Sequence, residues 1–323
     1  MTDDLSLDDE TIARQLEALP QTRWPLAAPS LEIPPETLRE IRVPREHVSP
    51  SPTIHRTGYD AIDAVNWSSL VHLATSAKLL EWRRTHPREE TAALRVGTAL
   101  HCAILEPARF SAAYIPRPDL GDGRTKVGKA RREQWNAERD PNAVVLDADE
   151  YELVMRCAES ARAHPAVRDA LRGGCAEETL TWVDEETGLR CKGRLDYITP
   201  SCVVDLKSTR AETVDGFARE IAGRLYHGQL VFYLDGAIAA RRIHASASQA
   251  MIVGIQTVEP YDVIPARLGS EWIARGRSLY RSLLRRYADC QAAGWWPGLA
   301  PGVVDLRVPP WASGGDDNEQ GDW

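Results

Sequence analysis

LRCKGRLDYITPSCVVDLKST, residues 189–209, is the stretch on which the reading of the fold turns. Two runs of β-forming residues, 189–199 and 202–208, flank the turn signal Pro200-Ser201. A third run, EETLTWVD at 177–184, lies upstream across Glu186-Thr187-Gly188. Together they predict a three-stranded meander. Side chains alternate faces along a strand, so Asp205 and Lys207 point one way and Leu206 points to the core. Asp196 lies near the end of the adjacent strand. Two carboxylates and an ammonium on neighbouring strands can converge on one point.

That trio suits phosphodiester hydrolysis. Hard carboxylate oxygens hold magnesium, with one or two protein ligands completed by water and substrate phosphate. The ion activates water and neutralises developing charge, while a lysine alongside positions or deprotonates the nucleophile. A D-x-K triplet also arises by chance, and a hairpin carrying ordinary surface charges is the plain alternative.

Outward from the meander the pattern mixes helices and strands. Helical apolar spacing predicts helices over 66–84 (with Asn66 or Ser68 as N-cap), 91–106, 148–171 with a break near Pro165, 212–222, 226–242 and 270–293. The last places Trp272, Ile273, Leu279, Tyr280, Leu283, Leu284 and Tyr287 on one side, with several arginines read as a solvated face on the other. Residues 249–258 and 261–266 read as further strands, and 115–135 as a polar loop leading into a helix. The sum is an α/β (α+β) chain with a central mixed β-sheet flanked by helices. Residues 1–56 carry eight prolines and read as a largely disordered leader, with 10–19 able to form a short helix. Residues 313–323 read as an acidic disordered tail, leaving one catalytic domain at 57–312.

Three runs occur in order: Gly193-Arg194-Leu195-Asp196-Tyr197-Ile198, Val204-Asp205-Leu206-Lys207-Ser208-Thr209, and Tyr226-His227-Gly228-Gln229-Leu230-Val231-Phe232-Tyr233-Leu234-Asp235-Gly236. Upstream stand Val96-Gly97-Thr98-Ala99-Leu100-His101 with Leu105-Glu106-Pro107, and Trp182 followed by Asp184 to Gly188. This ordered set resembles the PD-(D/E)xK nuclease superfamily, and within it the exodeoxyribonuclease VIII (RecE-like) family of phage and prophage recombination exonucleases. The resemblance spans roughly residues 57–311 and implies a restriction-endonuclease-like core. It implies that Asp196 and Asp205 bind metal, that Leu206 lends its backbone carbonyl, and that Lys207 is the catalytic lysine. Gln229 and Tyr233 match a Q-xxx-Y motif, one helical turn apart on one face. His101 matches a histidine that joins the metal site, against the alternative of a core or capping histidine. The family carries a Glu in the strand before the hairpin. Both Glu177 and Glu178 qualify, and counting back from Trp182 favours Glu177. Leu195 stands where relatives often have proline.

The resemblance further implies Mg2+ as cofactor (Mn2+ able to substitute) and 5′-to-3′ resection of double-stranded DNA ends for recombination. It also implies a single-strand-annealing protein as partner and a ring-shaped homo-oligomer.

Composition agrees with a globular chain: 323 residues, 43% hydrophobic and 27% charged. The net charge of −8 argues against DNA until its distribution is seen. Residues 1–10 and 313–323 hold nine acids and no Lys or Arg, so the body is near neutral and can carry a basic groove. Candidate phosphate contacts are Arg124, Lys126, Lys129 and Arg131 in the Gly-rich polar stretch, and Lys192 and Arg194 beside the catalytic strand; a solvated loop is the alternative for the first four. Trp67, Trp82, Trp182 and Trp272 fit core packing, and Trp295-Trp296-Pro297 with Trp311 a C-terminal strap. Six cysteines lack CxxC or zinc-finger spacing and read as separate reduced thiols. No secretion signal or membrane-spanning run is evident, so a cytoplasmic protein is expected. Two other classes compete with the exonuclease: a DNA-end-binding recombination scaffold without hydrolysis, and a nuclease for single-stranded, flap or RNA substrates.

Overall fold

The computed structural model describes residues 56–308 apart from 88, 90 and 301. The leader helix over 10–19, Trp311 and the acidic tail lie outside the described residues. In chain order the helices and strands are α1 (Arg56–Ala61), α2 (Trp67–Leu70), α3 (Ala77–Thr85), α4 (Ala92–Leu105), α5 (Pro107–Ala113), β1 (Tyr114–Pro116), α6 (Lys126–Glu138), β2 (Val144–Leu146), α7 (Ala148–Ala163) and α8 (Pro165–Ala170). Then follow β3 (Cys175–Val183), β4 (Arg190–Ile198), β5 (Cys202–Thr209), α9 (Val214–Gly223), α10 (Tyr226–Ala239), β6 (Gln249–Gln256), β7 (Val263–Arg267) and α11 (Ser270–Ala293).

β3 to β7 form a five-stranded mixed sheet in sequence order, with β5 and β6 parallel and the other neighbours antiparallel. The parallel pairing requires a crossover, which α9 and α10 provide. One apolar cluster joins one side of the sheet to α2, α10 and α11 through Leu195, Val203, Ile252, Leu230, Leu279 and Leu283. The other joins the opposite side to α4 and α7 through Leu206, Val253, Leu100, Val154 and Cys157. The expected meander and the mixed sheet flanked by helices are therefore both present.

Several local expectations are corrected. The helix expected over 66–84 is three pieces: α2 capped by Asn66, a 3-10 turn at Val71–Ala74, and α3 restarted by Ser76, whose hydroxyl accepts from the Leu79 amide. Ser76 competes with the helix for backbone bonds, which periodicity does not register. Trp82 is not core: it is 47% exposed and stacks on His86. The polar stretch 115–135 is, as expected, a loop leading into a helix, and Thr125 caps that helix through the Gly128 amide. The arginines of α11 are not merely solvated. Arg277 grips Asp235 on α10 at 2.7 Å, while Arg281 and Arg285 both reach Glu186 in the β3–β4 turn. The strap is seen at Trp296, which meets Tyr287 edge-on, and at Pro297, whose carbonyl accepts from the Lys78 amide. Among the described residues no helix is long and apolar enough to cross a membrane, and the six cysteines are free.

His227 on α10 is buried, its ring edge-on to Trp272, and burial holds it below its ordinary value of 6.5. The unfolded chain then binds more protons than the native one below that pH. Stability should fall as pH drops through 6.5, and His227→Phe should flatten that part of a melting-temperature–pH curve.

Candidate metal and catalytic site

The site forms where the sheet forks. β4 and β5 pair only at Tyr197↔Val204 and Ile198↔Val203, and from Asp196 onward they part. Asp196 holds the fork open: its Oδ2 accepts the Leu206 amide at 2.7 Å, replacing a ladder bond. Opposite Asp196, Glu177 adopts φ 53°, the left-handed region, within an otherwise regular strand. A non-glycine residue there is strained and persists only where its surroundings hold it.

The strain decides which glutamate faces the site. Glu177, His101 and Asp196 bring ligand atoms within 4.8 Å of one another. Glu178 turns away and pairs with Arg242 at 2.8 Å. His101 comes from α4, on the other side of the fork, and its Nδ1 lies 3.4 Å from Asp196 Oδ1. Asp205 stands beside this trio, 1% exposed, with Oδ2 2.6 Å from Lys207 Nζ. The Lys207 ammonium is the one close partner of this oxygen among the described residues. Lys207 Nζ also sits over the Tyr226 ring at 4.9 Å.

Electrostatics divides the two aspartates. Burial pushes the Asp205 carboxyl up to about 6, with Lys207 only partly opposing. Burial works the same way on Asp196, yet His101 and Lys207 hold it below the usual carboxylate range. Burial opposes the His101 imidazolium, but the Asp196 carboxylate outweighs it and raises His101. Glu177 is raised by burial and by Asp196, against the pull of Arg194. The set thus brings the Glu177 and Asp196 carboxylates and the His101 imidazole together, with the buried Asp205 carboxylate alongside. This is a hard, oxygen-rich donor set that fits a divalent cation.

α10 carries Gln229 and Tyr233 to the same fork, joined by a 3.4 Å contact from Gln229 Nε2 to the Tyr233 hydroxyl. Tyr233 reaches β4 because residue 193 is glycine: a Cβ there would lie 2.8 Å from its ring. Among the proposed phosphate contacts, Arg124, Lys126, Lys129 and Arg131 are exposed on α6 and the loop before it. Arg124 is also paired with Asp122 at 3.0 Å.

Lys192 is a correction: it is 5% exposed, and Nζ donates to the Tyr59 and Ile62 carbonyls at 2.8 Å each, so it does not face substrate. A lysine beside a functional strand reads as basic surface in sequence, whereas here packing from α1 covers it. Arg194 is at the site but engaged, its Nε 2.7 Å from Glu177 Oε2. Tyr226 was not singled out in the sequence as a site residue. Its spacing from Gln229 and Tyr233, three and seven residues along one helix, would have placed it on their face.

Glu177→Gln should weaken divalent-metal affinity by about tenfold or more, the range seen for groups that tune such sites. Glu178→Gln should leave it within about twofold. Isothermal titration calorimetry distinguishes the two; equal losses would show that Glu177 has no special place.

A family described as "PDDEXK-like domain of unknown function (DUF3799)" matches residues 68–305. No curated protein matches the sequence significantly. Among solved structures, a candidate exonuclease from Eubacterium rectale superposes with a TM-score of 0.52 at 11% identity, over 80% of this chain and 97% of that one. SSO0001 gives a TM-score of 0.23 at 19% identity, over 58% and 86%. The first likeness shows a shared fold; the second carries no argument.

Proposed function

We propose, from the premise that this chain belongs to the PDDEXK-like DUF3799 family, that it is a metal-dependent DNA exonuclease. The observation that carries the reading is the convergence of His101, Glu177, Asp196, Asp205 and Lys207 at the sheet fork. Each of these was expected from the sequence, and a scaffold without hydrolysis has no need of a partly buried lysine paired to a buried acid.

In this reading His101, Glu177, Asp196 and Asp205, with the Leu206 carbonyl, would hold Mg2+ or Mn2+. When bound, the ion supplies charge neutralisation and a more acidic water. Lys207 does the rest from a fixed position. Asp205 and the Tyr226 ring orient its ammonium, and desolvation strengthens its pull on a developing phosphate charge. Gln229 and Tyr233 orient the strand entering the fork, and Arg194, released in part from Glu177, meets a phosphate oxygen. Exposed Arg124, Lys126, Lys129 and Arg131 contact the backbone farther out.

The finer assignment follows the exodeoxyribonuclease VIII-like motif order. The substrate is then a double-stranded DNA end, resected 5′-to-3′ for recombination, with a single-strand-annealing partner, a ring oligomer and a cytoplasmic setting. The catalytic domain spans 57–312, between the Pro-rich leader and the acidic tail. The deciding experiment digests end-labelled linear duplex, nicked circle and single strand, with magnesium and with chelator. Loss of label from linear duplex alone, blocked by chelator, is expected. Cleavage of the circle or of single strands in preference would move the assignment to another nuclease class, and no cleavage at all would leave the scaffold reading.

A further inference from the structure

Where β5 leaves β4, the vacated edge does not stay open. Val65 occupies it as a parallel bridge to Cys191, donating to the Arg190 carbonyl and accepting from the Lys192 amide, both at 2.8 Å. Just before it, α1 and its exit are pinned by the Lys192 ammonium, which donates to the carbonyls of Tyr59 and Ile62 and lies 4.5 Å over the Tyr59 ring. These carbonyls lie at and just beyond the end of α1, where the Tyr59 carbonyl also accepts the Ile62 amide, and the C-terminal end of a helix attracts cations. A buried ammonium is costly unless its donors are satisfied. Here β4 uses that cost to fix one short segment in one place. Burial lowers the Lys192 ammonium, with Asp60 and Asp63 opposing.

The placement matters because of what β4 carries next. Lys192, Arg194 and Asp196 follow at alternate positions, and Arg194 holds Glu177. Tyr59 is half-buried, with its ring against the Lys192 ammonium on this strand, and the Tyr233 ring packs on the next residue of the strand, Gly193. Segment 56–66 therefore borders β4 at Cys191 and Lys192, next to Gly193, where the Tyr233 ring packs, and two residues before Arg194. It also lies upstream of residue 68, where the family match begins.

We infer that segment 56–66 is a built-in wall of the cleavage site, with Lys192 as its anchor and Tyr59 as a positioning residue for Arg194 and Tyr233. The inference rests on the nuclease reading above. Its chemistry is steric and electrostatic: the wall keeps water from the vacated strand edge and limits the angles at which Arg194 and Tyr233 can meet substrate.

The test uses the full chain and compares wild type, Lys192→Met and Tyr59→Leu. Hydrogen exchange at residues 56–66 reads docking, and kcat and KM on linear duplex with magnesium read function. In Lys192→Met, protection of 56–66 should be lost while β5 and β6 stay protected, and kcat should fall roughly tenfold with KM little changed. Tyr59→Leu keeps both carbonyls and the lysine, so the segment should stay protected while kcat falls by a similar factor. Wild-type kcat in Tyr59→Leu, or in a Lys192→Met chain whose segment is released, overturns the inference alone. Unchanged protection in Lys192→Met overturns the anchor. A wild-type chain that cleaves no DNA fails the nuclease reading itself, and the wall has then no reaction to serve.

Discussion

Asp205→Asn and Lys207→Met should each reduce magnesium-dependent cleavage of linear duplex by about a thousandfold, roughly 4 kcal/mol of transition-state stabilisation. Asp205 is buried, Lys207 is partly buried, and the two side chains lie 2.6 Å apart. The fold should survive Asp205→Asn. Burial raises the Asp205 carboxyl to about 6, so at neutral pH its ionised form costs more in the native state than in the unfolded chain. Removing the charge at neutral pH therefore removes a cost. Metal-free Asp205→Asn should melt no lower than metal-free wild type. Magnesium should raise the wild-type melting temperature and leave the variant's unchanged, since only a ligand that binds the native state stabilises it. Full activity in both variants would sink the site.

Gly276→Ala should be strongly destabilising. Gly276 lies in α11 where it crosses α10, and a Cβ there would stand 2.6 Å from the His227 carbonyl oxygen and 2.7 Å from Val231 Cγ2. The first of these is backbone and cannot rotate aside, so the helices must separate. The expected cost is about 3 kcal/mol, a fall of roughly 10 °C in melting temperature for a domain of this size. Activity should drop with it, because α10 carries Tyr226, Gln229 and Tyr233 to the fork. Differential scanning calorimetry with a parallel nuclease assay reads both; a variant that melts with wild type would show that the crossing tolerates a side chain.

Much of this architecture was legible in the chain. The runs at 177–184, 189–199 and 202–208 became β3, β4 and β5, and the helix expected over 270–293 is α11. These elements are long or bounded by strong turn signals, and each buries a clear apolar stripe. Helix 66–84 failed for the opposite reason: Thr75 and Ser76 sit inside a continuous apolar period, and only a local side-chain bond breaks it. The acids stood out because their types and order fit metal chemistry, and the structure brings Glu177 and Asp196 together with His101. Lys192 was misread because a charged residue in sequence carries no sign of what will cover it.

The sequence by itself determined the element order, the alternation that sets Asp205 and Lys207 on one side, and the membership of His101, Asp196 and Gln229 in one motif set. Only the tertiary structure decided that β4 and β5 part at Asp196, that Glu177 rather than Glu178 turns inward, and that residues 56–66 fill the open edge. The physical reason is range. Periodicity and turn chemistry act within a few residues, whereas the fork depends on bonds between positions far apart: Lys192 to Tyr59, Arg242 to Glu178 and His101 to Asp196. Those contacts exist only once the sheet has brought the strands together.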